Sequence, residues 1–594
     1  MRLLVLSFSA IVVGSASVNA ATVFLGDAGI IPVGSEGAIL GAGLGAPGSA
    51  EVNGGTIITL LPGANLDSTG GPKIDVGDGS TGDLLITGSG TEVRAIGNGT
   101  GARAEIGGDF FDAGTGIVNI ESGARLLIQE ASIAPGALGT QVFLGASGTG
   151  TLNLKSGTLD VLSGSSAYFE IGSVGGGAMG SLNAVNGSAI NIIGSGVPID
   201  GQNDIIIDVG KDGPSTGSIN LIESTMSVSA SGNNVMLNLG KPNALGTLSL
   251  NDASVSLTGD DVSLKVGNGG LAGASLNNGS SLTMAGANEA ILEIGSDGTG
   301  SMTIEGGSSV VVDGQVYSRI AVGSNPGSNG SLSILSGSSV LLSGPNAVMD
   351  IGDPSPNGSD SSMGVVTISG LGSSLSTDTD ILVGKCCDNG STRGILSVSD
   401  GAVVTTPSLT IDSGGILMGD GGMIVGNVYV QRTGLVSPGL SPGWLTIDGN
   451  LELGSGSVLE LEFLSDTIFD RIITLGTVSA SGPFEIVLSF LDGYRPIAGQ
   501  TWEFLSSASV SDTFLSNANI VVKGLGASSL FLERSDNSAG QFLQVRAEAI
   551  APVPLPPTLV LVLGALFSLF AFRHSKRECE CQAEPQVVGG RLAV

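Results

Sequence analysis

The chain has little of what most enzymes are built from. Its 594 residues include a single histidine, His574, close to the C-terminus. The residues before it therefore have no imidazole for a Ser-His-Asp triad, a Cys-His pair or a His-ligated metal. Aromatic residues make up 4% of the chain and charged residues 13%, which excludes a large globular core packed on Phe, Tyr and Trp. The four cysteines make no disulfide framework. Cys386 and Cys387 are adjacent and could close only a strained bridge, pair between molecules or stay free. Cys579 and Cys581 are two thiols where a zinc site needs four ligands. Bases are scarce: 22 Lys and Arg stand against 53 Asp and Glu, a formal net charge of −31. With no basic run to neutralise phosphates, nucleic acid is excluded as an expected partner.

Glycine and aliphatic residues are abundant. Glycine contributes 98 residues, and 41% of the chain is hydrophobic. There is no Gly-X-Y triplet, so collagen is excluded, and the apolar share is too high for a disordered chain. An aliphatic-Gly step recurs at Gly77, Gly107, Gly145, Gly172, Gly210, Gly240, Gly267, Gly295, Gly323, Gly352 and Gly384, at intervals of roughly 30 residues. Runs such as Gly150-Thr151-Leu152-Asn153-Leu154 and Gly330-Ser331-Leu332-Ser333-Ile334 follow the steps, and a third short run follows a turn, as in Ser339-Val340-Leu341-Leu342. Each repeat offers three strands of about 3–5 residues with alternating inward aliphatics. Strands this short are stable only when the same strand lies in the turns above and below. The expected fold is all-β: a right-handed parallel β-helix, with glycine at positive-φ corners. The rival, an array of β-sandwiches, needs longer strands and aromatic cores.

Both ends look like addresses. Met1 and Arg2 precede the apolar run Leu3–Val13, and Val18-Asn19-Ala20 resembles a signal-peptidase site, so residues 1–20 are expected to be a signal peptide cleaved after Ala20. At the other end Val553-Pro554-Leu555-Pro556-Pro557 precedes the apolar stretch Thr558–Phe572 and the basic cluster Arg573, Lys576 and Arg577. As a helix that stretch would reach roughly 22 Å, a short anchor whose basic flank faces the cytoplasm. Proline motif, helix and basic cluster, in that order, resemble the PEP-CTERM class of sorting signals of Gram-negative bacteria, in its Val-Pro-Leu-Pro variant. The resemblance covers Pro552–Arg577 and implies an exosortase-type processing enzyme as a partner. It also implies a place at the cell surface or in the extracellular matrix, with an inner-membrane anchor before processing and an association with exopolysaccharide. The chain departs from that class by continuing through Val594.

A second resemblance lies inside the chain. Gly419-Asp420-Gly421-Gly422-Met423-Ile424-Val425-Gly426 leads into Ser437-Pro438-Gly439-Leu440-Ser441-Pro442-Gly443 and Trp444-Leu445-Thr446-Ile447. This is similar to the passenger-associated repeat of autotransporter adhesins, whose fold is a parallel β-helix. Phe469-Asp470-Arg471-Ile472 and Leu491-Asp492-Gly493-Tyr494-Arg495-Pro496 resemble the β-rich cap that follows such repeats. Phe484, Phe490, Tyr494, Trp502, Phe504, Phe514 and Phe531 gather here, as a small conventional core requires. After Glu460 the chain ends in the short anchor rather than in the strands of a translocating barrel, so export is expected to use separate machinery.

Candidates for chemistry are few. Asp260-Asp261, with Lys265 nearby, is the only adjacent carboxylate pair in the repeats, and it would have to sit in a turn to converge. Asp75, Asp78 and Asp83, and Asp378 with Asp380, could hold a divalent cation weakly, but nothing repeats at the nine-residue spacing of a calcium roll. Thr377 and Thr379 form one Thr-x-Thr pair of the kind that templates ice, without recurrence. Asn98, Asn186, Asn278, Asn329, Asn357 and Asn389 head Asn-Gly-Ser/Thr triplets that match glycosylation sites and also suit tight turns.

The reading is thus a signal peptide (1–20), a parallel β-helix (21–462), a β-rich cap (463–549), a sorting signal with a short transmembrane helix (550–577) and a cytoplasmic tail (578–594). The expected function is a non-enzymatic, adhesin-like surface or matrix protein. The alternative is a secreted β-helix polysaccharide lyase or hydrolase. No catalytic residue, cofactor or dedicated metal site is expected.

Overall fold

The structure is a computed structural model. It describes residues 11–12, 18–19, 38–40, 48–53, 57–60 and 71–548, the last without 78, 100, 109–111, 131–138, 174–175, 196–203, 324, 353–361, 385–392, 440–441, 524–528 and 538–539. It is a right-handed parallel β-solenoid of about 14 turns, roughly 65 Å long at the spacing of stacked strands. The one helix among the described residues, Asp512–Asn517, has 6 residues.

Each turn has three strands. In one turn they are Thr149–Lys155, Thr158–Ser163 and Ala167–Ile171. In the next they are Met179–Val185, Ala189–Gly194 and Ile205–Val209. The first strands of all turns form one sheet, and the second and third strands form the other. Pairing is in register, so Leu152 sits on Leu182, Val161 on Ile192 and Phe169 on Ile207. These ladders are the core, with the inward Leu, Ile and Val buried along the whole axis.

The strands run longer than the alternation of aliphatics suggests. Thr149–Lys155 has 7 residues, because ladder hydrogen bonds join backbones and continue into the flanking polar residues. In several turns the second and third strands merge, as in Ser254–Val266, Ser281–Ile294 and Val403–Ile411.

Every aliphatic-Gly step named above has positive φ, and two glycines show why each corner needs them. Gly145 (φ +64°) turns the chain from the third strand into the next turn, and a Cβ there would lie 2.0 Å from the Met179 carbonyl oxygen. Gly150 has ordinary φ, yet its Cβ would lie 2.0 Å from the Ile106 carbonyl oxygen. The first is glycine for conformation and space, the second for space alone. At the corner after the first strand a non-glycine residue takes the left-handed conformation, as Ser156, Asn186, Asp252 and Asn278 do. Buried serines follow it. Ser280 Oγ donates to Asn277 O (2.6 Å) and Ser308 Oγ to Glu305 O (2.7 Å), while Ser308 Oγ accepts from Ser280 N–H in the adjacent turn (3.1 Å).

Parallel stacking persists past residue 462: Val458–Phe463 pairs with Phe484–Phe490, which pairs with Ala518–Lys523. It ends where the hairpin Ser529–Asn537/Gly540–Glu548 joins antiparallel to Thr501–Val510. Of the aromatic residues expected in a cap, Phe484, Phe490, Trp502, Phe504 and Phe514 are buried and Tyr494 packs against them, whereas Phe531 is 45% exposed. Phe463 stacks on Phe490 at 5.1 Å between ring centroids, and Trp502 meets both edge-on.

Candidate functional site

The candidate residues are dispersed. Asp260 and Asp261 lie at the bend between the second and third strands, where the register shifts between Gly259 and Asp261. Lys265 does not join them; its Nζ is 3.2 Å from Glu293 in the next turn. The neighbouring Asp204 has a pKa raised by burial, with a smaller contribution from the Asp261 charge.

The aspartates considered for a divalent cation do not converge. Asp75 is buried on a third strand and pairs with Lys73 at 2.9 Å, whereas Asp83 is exposed on the outer face of a first strand. Asp378 and Asp380 are exposed at one bend. Among the described residues no three His, Cys, Asp or Glu side chains are grouped as a metal would need. Thr377 and Thr379 face the fold: Thr377 Oγ1 accepts from Thr379 N–H at 3.2 Å, and Thr379 Oγ1 donates to Ala347 O.

Of the Asn-Gly-Ser/Thr triplets, Asn186 and Asn278 occupy left-handed turn positions, and at Asn98 the positive φ falls on Gly99. Asn329 begins a first strand instead. Asp78, Asn357, Asn389, Cys386 and Cys387 lie outside the described residues. So do Ala20, Val553, Pro554, Leu555, Pro556, Arg573, Lys576, Arg577, Cys579 and Cys581. Among the described residues no helix is long and apolar enough to cross a membrane. The stretch Thr558–Phe572 is not among them.

The structure brings together something else: charge ladders along the third strands. An acid stands two residues before the Gly step in Asp75, Glu105, Glu170, Asp208, Glu293 and Asp350. This position points away from the aliphatic core, yet Asp75, Glu105, Glu170, Asp208 and Asp350 are buried. Bases from the same and neighbouring turns cover them. Lys73 pairs with Asp75 and Glu105, Lys211 with Glu170, Lys241 with Asp208 (3.2 Å), and Arg319 bridges Glu293 (3.7 Å) and Asp350 (3.1 Å). Burial lowers the Lys73 pKa, but the Asp75 and Glu105 carboxylates outweigh it and hold the ammonium above its ordinary value. A second ladder runs from Glu92 through Arg125 (3.0 Å) to Asp160. The signal for the first ladder was present in the sequence as aliphatic-acid-aliphatic-Gly. What it lacked was the turn-to-turn register that supplies each partner.

On the first-strand sheet the central outward row is neutral from Asn119 to Thr303. The side-chain amides of Asn119, Asn153, Asn183 and Asn220 stack, the Nδ2 of each of the last three donating to the Oδ1 of the asparagine in the preceding turn at 2.9 Å. Ser and Thr continue the row at Ser249, Ser275 and Thr303.

The segments that resemble the adhesin repeat meet at Asp470. Its carboxylate is 1% exposed and accepts from Gly443 N–H (2.7 Å) and Glu462 N–H (2.8 Å). Burial pushes its pKa up to about 7, the two backbone bonds opposing and the Glu462 and Asp420 charges adding. Arg471 lies 4.5 Å over the Phe469 ring. This is a clasp between the last regular turns and the aromatic cluster.

No family model and no curated protein matches the chain. A β-helix is compatible with adhesin-like and with polysaccharide-interacting proteins.

Proposed function

We propose that the chain is an exported, non-enzymatic scaffold of the cell surface or extracellular matrix, adhesin-like and associated with exopolysaccharide. One observation carries this reading: the polar side chains are arranged in ladders rather than around a centre. Lys73, Arg125, Lys211, Lys241, Lys265 and Arg319 are each held by carboxylates of their own or adjacent turns. A polysaccharide lyase or hydrolase needs carboxylates and a cation converging on one groove. A rod that repeats the same small outward groups every turn suits display and extended contact instead. In this reading residues 1–20 direct export, and the segment from Val553 to Arg577 anchors the chain in the inner membrane until an exosortase-type enzyme acts on Val553-Pro554-Leu555-Pro556. The nearby bases and the net charge of −31 leave no role for nucleic acid.

The test incubates the intact chain with neutral and acidic bacterial polysaccharides, with and without calcium, and reads co-sedimentation and new chain ends in the same tubes. Retention without new ends is expected. New ends that disappear on Asp260→Ala would overturn the reading in favour of a polysaccharide-degrading enzyme.

A further inference from the structure

From Met179–Val185 to Met363–Ser369, seven consecutive first strands lie side by side. Their outward positions carry one formal charge, the exposed Glu305 level with Leu335 where Thr299–Ile304 ends, on a chain whose net charge is −31. Two central rows are small and polar, including Ser181, Ser218 and Thr247 in one and Asn183, Asn220 and Ser249 in the other. Both borders carry exposed apolar side chains among polar ones. Met179 (51% exposed), Leu245 (40%) and Leu271 (58%) stand on the border where each strand begins, and Ile222 (42%) stands on the border where it ends. A shallow depression of about 500 Å³, lined by Pro214, Asn243, Leu245 and Leu271, runs beside the first border.

We propose that this face is where a second copy of the chain docks. Two molecules of this net charge repel at most approaches, and a nearly neutral sheet face lets them meet without placing like charges opposite each other. Six strands of seven residues and one of six present roughly 30 by 20 Å, about 600 Å², approaching the roughly 800 Å² per partner of a standard interface. A two-fold axis parallel to the solenoid makes the contact self-complementary and keeps the rods side by side in the same direction. It lays the ending border of one copy on the starting border of the other, so that Ile222 approaches the depression beside Leu245. It also sets the acids on the ending border (Glu305) and just past it (Glu223 and Asp252) opposite the edge that carries Lys211 and Lys241 together with Asp212 and Asp297. An antiparallel arrangement would place the first acids against themselves.

The experiment is sedimentation velocity of the full chain in mild detergent, over a range of concentration and salt. The face variant Ser218→Glu/Thr247→Glu/Ser301→Glu is compared with Ser227→Glu/Ser256→Glu/Thr283→Glu, which adds equal charge to the outward side of the second strands. The wild type is expected to dimerise, more tightly as salt screens its net charge. The face variant should raise the dissociation constant at least about a hundredfold, the control by less than about threefold. A monomeric wild type, or a dimer that survives in the face variant, overturns the proposal. So does a monomer that binds a neutral β-glucan and loses it in the face variant, which would assign the face to glycan.

Discussion

The regular turns and the aromatic end of the molecule solve the same problem by opposite means. In the turns each buried side chain rests on a near copy of itself, so Leu152, Leu182, Ile219 and Leu248 form one column. Shape complementarity there comes from translation, and modest aliphatic side chains suffice. From Val458–Phe463 onward the parallel strands still stack, but the aliphatic columns give way to Phe463, Phe469, Phe490, Tyr494 and Trp502, which pack against one another in a unique arrangement. The difference teaches where cooperativity resides. A turn touches only its neighbours, so damage in one should spread locally, whereas the aromatic cluster stands or falls together. The cluster also shields the end of a parallel stack that would otherwise template further strands, and the antiparallel hairpin completes the shield.

The sharpest way to break the contrast is Trp502→Ala. Removing this fully buried ring should cost about 3–5 kcal/mol. Hydrogen exchange should show protection lost across 463–548 and kept around Leu152. Equal loss in both regions would mean that the molecule unfolds as one unit. Gly145→Ala comes next. It combines positive φ with a 2.0 Å approach to the Met179 carbonyl oxygen and should cost about 2–3 kcal/mol, read as opening of the adjoining turns in hydrogen exchange. Gly187→Ala at φ +73°, with nothing within 4 Å of its Cβ, should cost only about 1 kcal/mol in denaturant titration. That pair separates space from conformation.

Acidity should distinguish the regions too. The folded Asp470 pKa of about 7 lies above the unfolded value of about 3.9, so the folded state holds its proton more tightly. This contribution to stability is fully present below about pH 4 and is lost as pH rises through about 7. Trp502 fluorescence during denaturation should follow that slope, and Asp470→Asn should flatten it. At the small end, Lys523→Ala removes an ion pair with Glu460 whose lysine side chain is 60% exposed. Its effect on the unfolding free energy in denaturant titration should be under about 1 kcal/mol, and a larger one would mean that Ala518–Lys523 contributes more to the end than its exposure suggests.

Much of the fold was legible because its rules are local. An aliphatic followed by glycine at the end of a third strand marks a corner, since a Cβ there collides with the next turn's backbone, and all the steps named from the sequence proved to have positive φ, whereas the same pair in Leu245-Gly246 lies inside a first strand. Alternation in Thr149–Lys155 marked its inner face in the same way. Strand ends were less legible: backbone pairing ran beyond the aliphatic alternation, and the bends at Asp260 and Asn288 proved continuous with their strands. The candidate residues illustrate the limit. Asp260, Asp261 and Lys265 are neighbours in sequence, but Lys265 pairs across turns with Glu293.

The sequence by itself determined the repeat, the three-strand turn, the glycine corners and the place of the aromatic cluster, because each depends on residues a few positions apart. Only the tertiary structure decided which outward residues share a row. Loops of unequal length separate Asn119, Asn153, Asn183 and Asn220, and only strand pairing brings their amides within 2.9 Å of one another. The buried acid ladder and the nearly neutral face have the same origin. Each is a property of register, and register is set where one turn settles on the next.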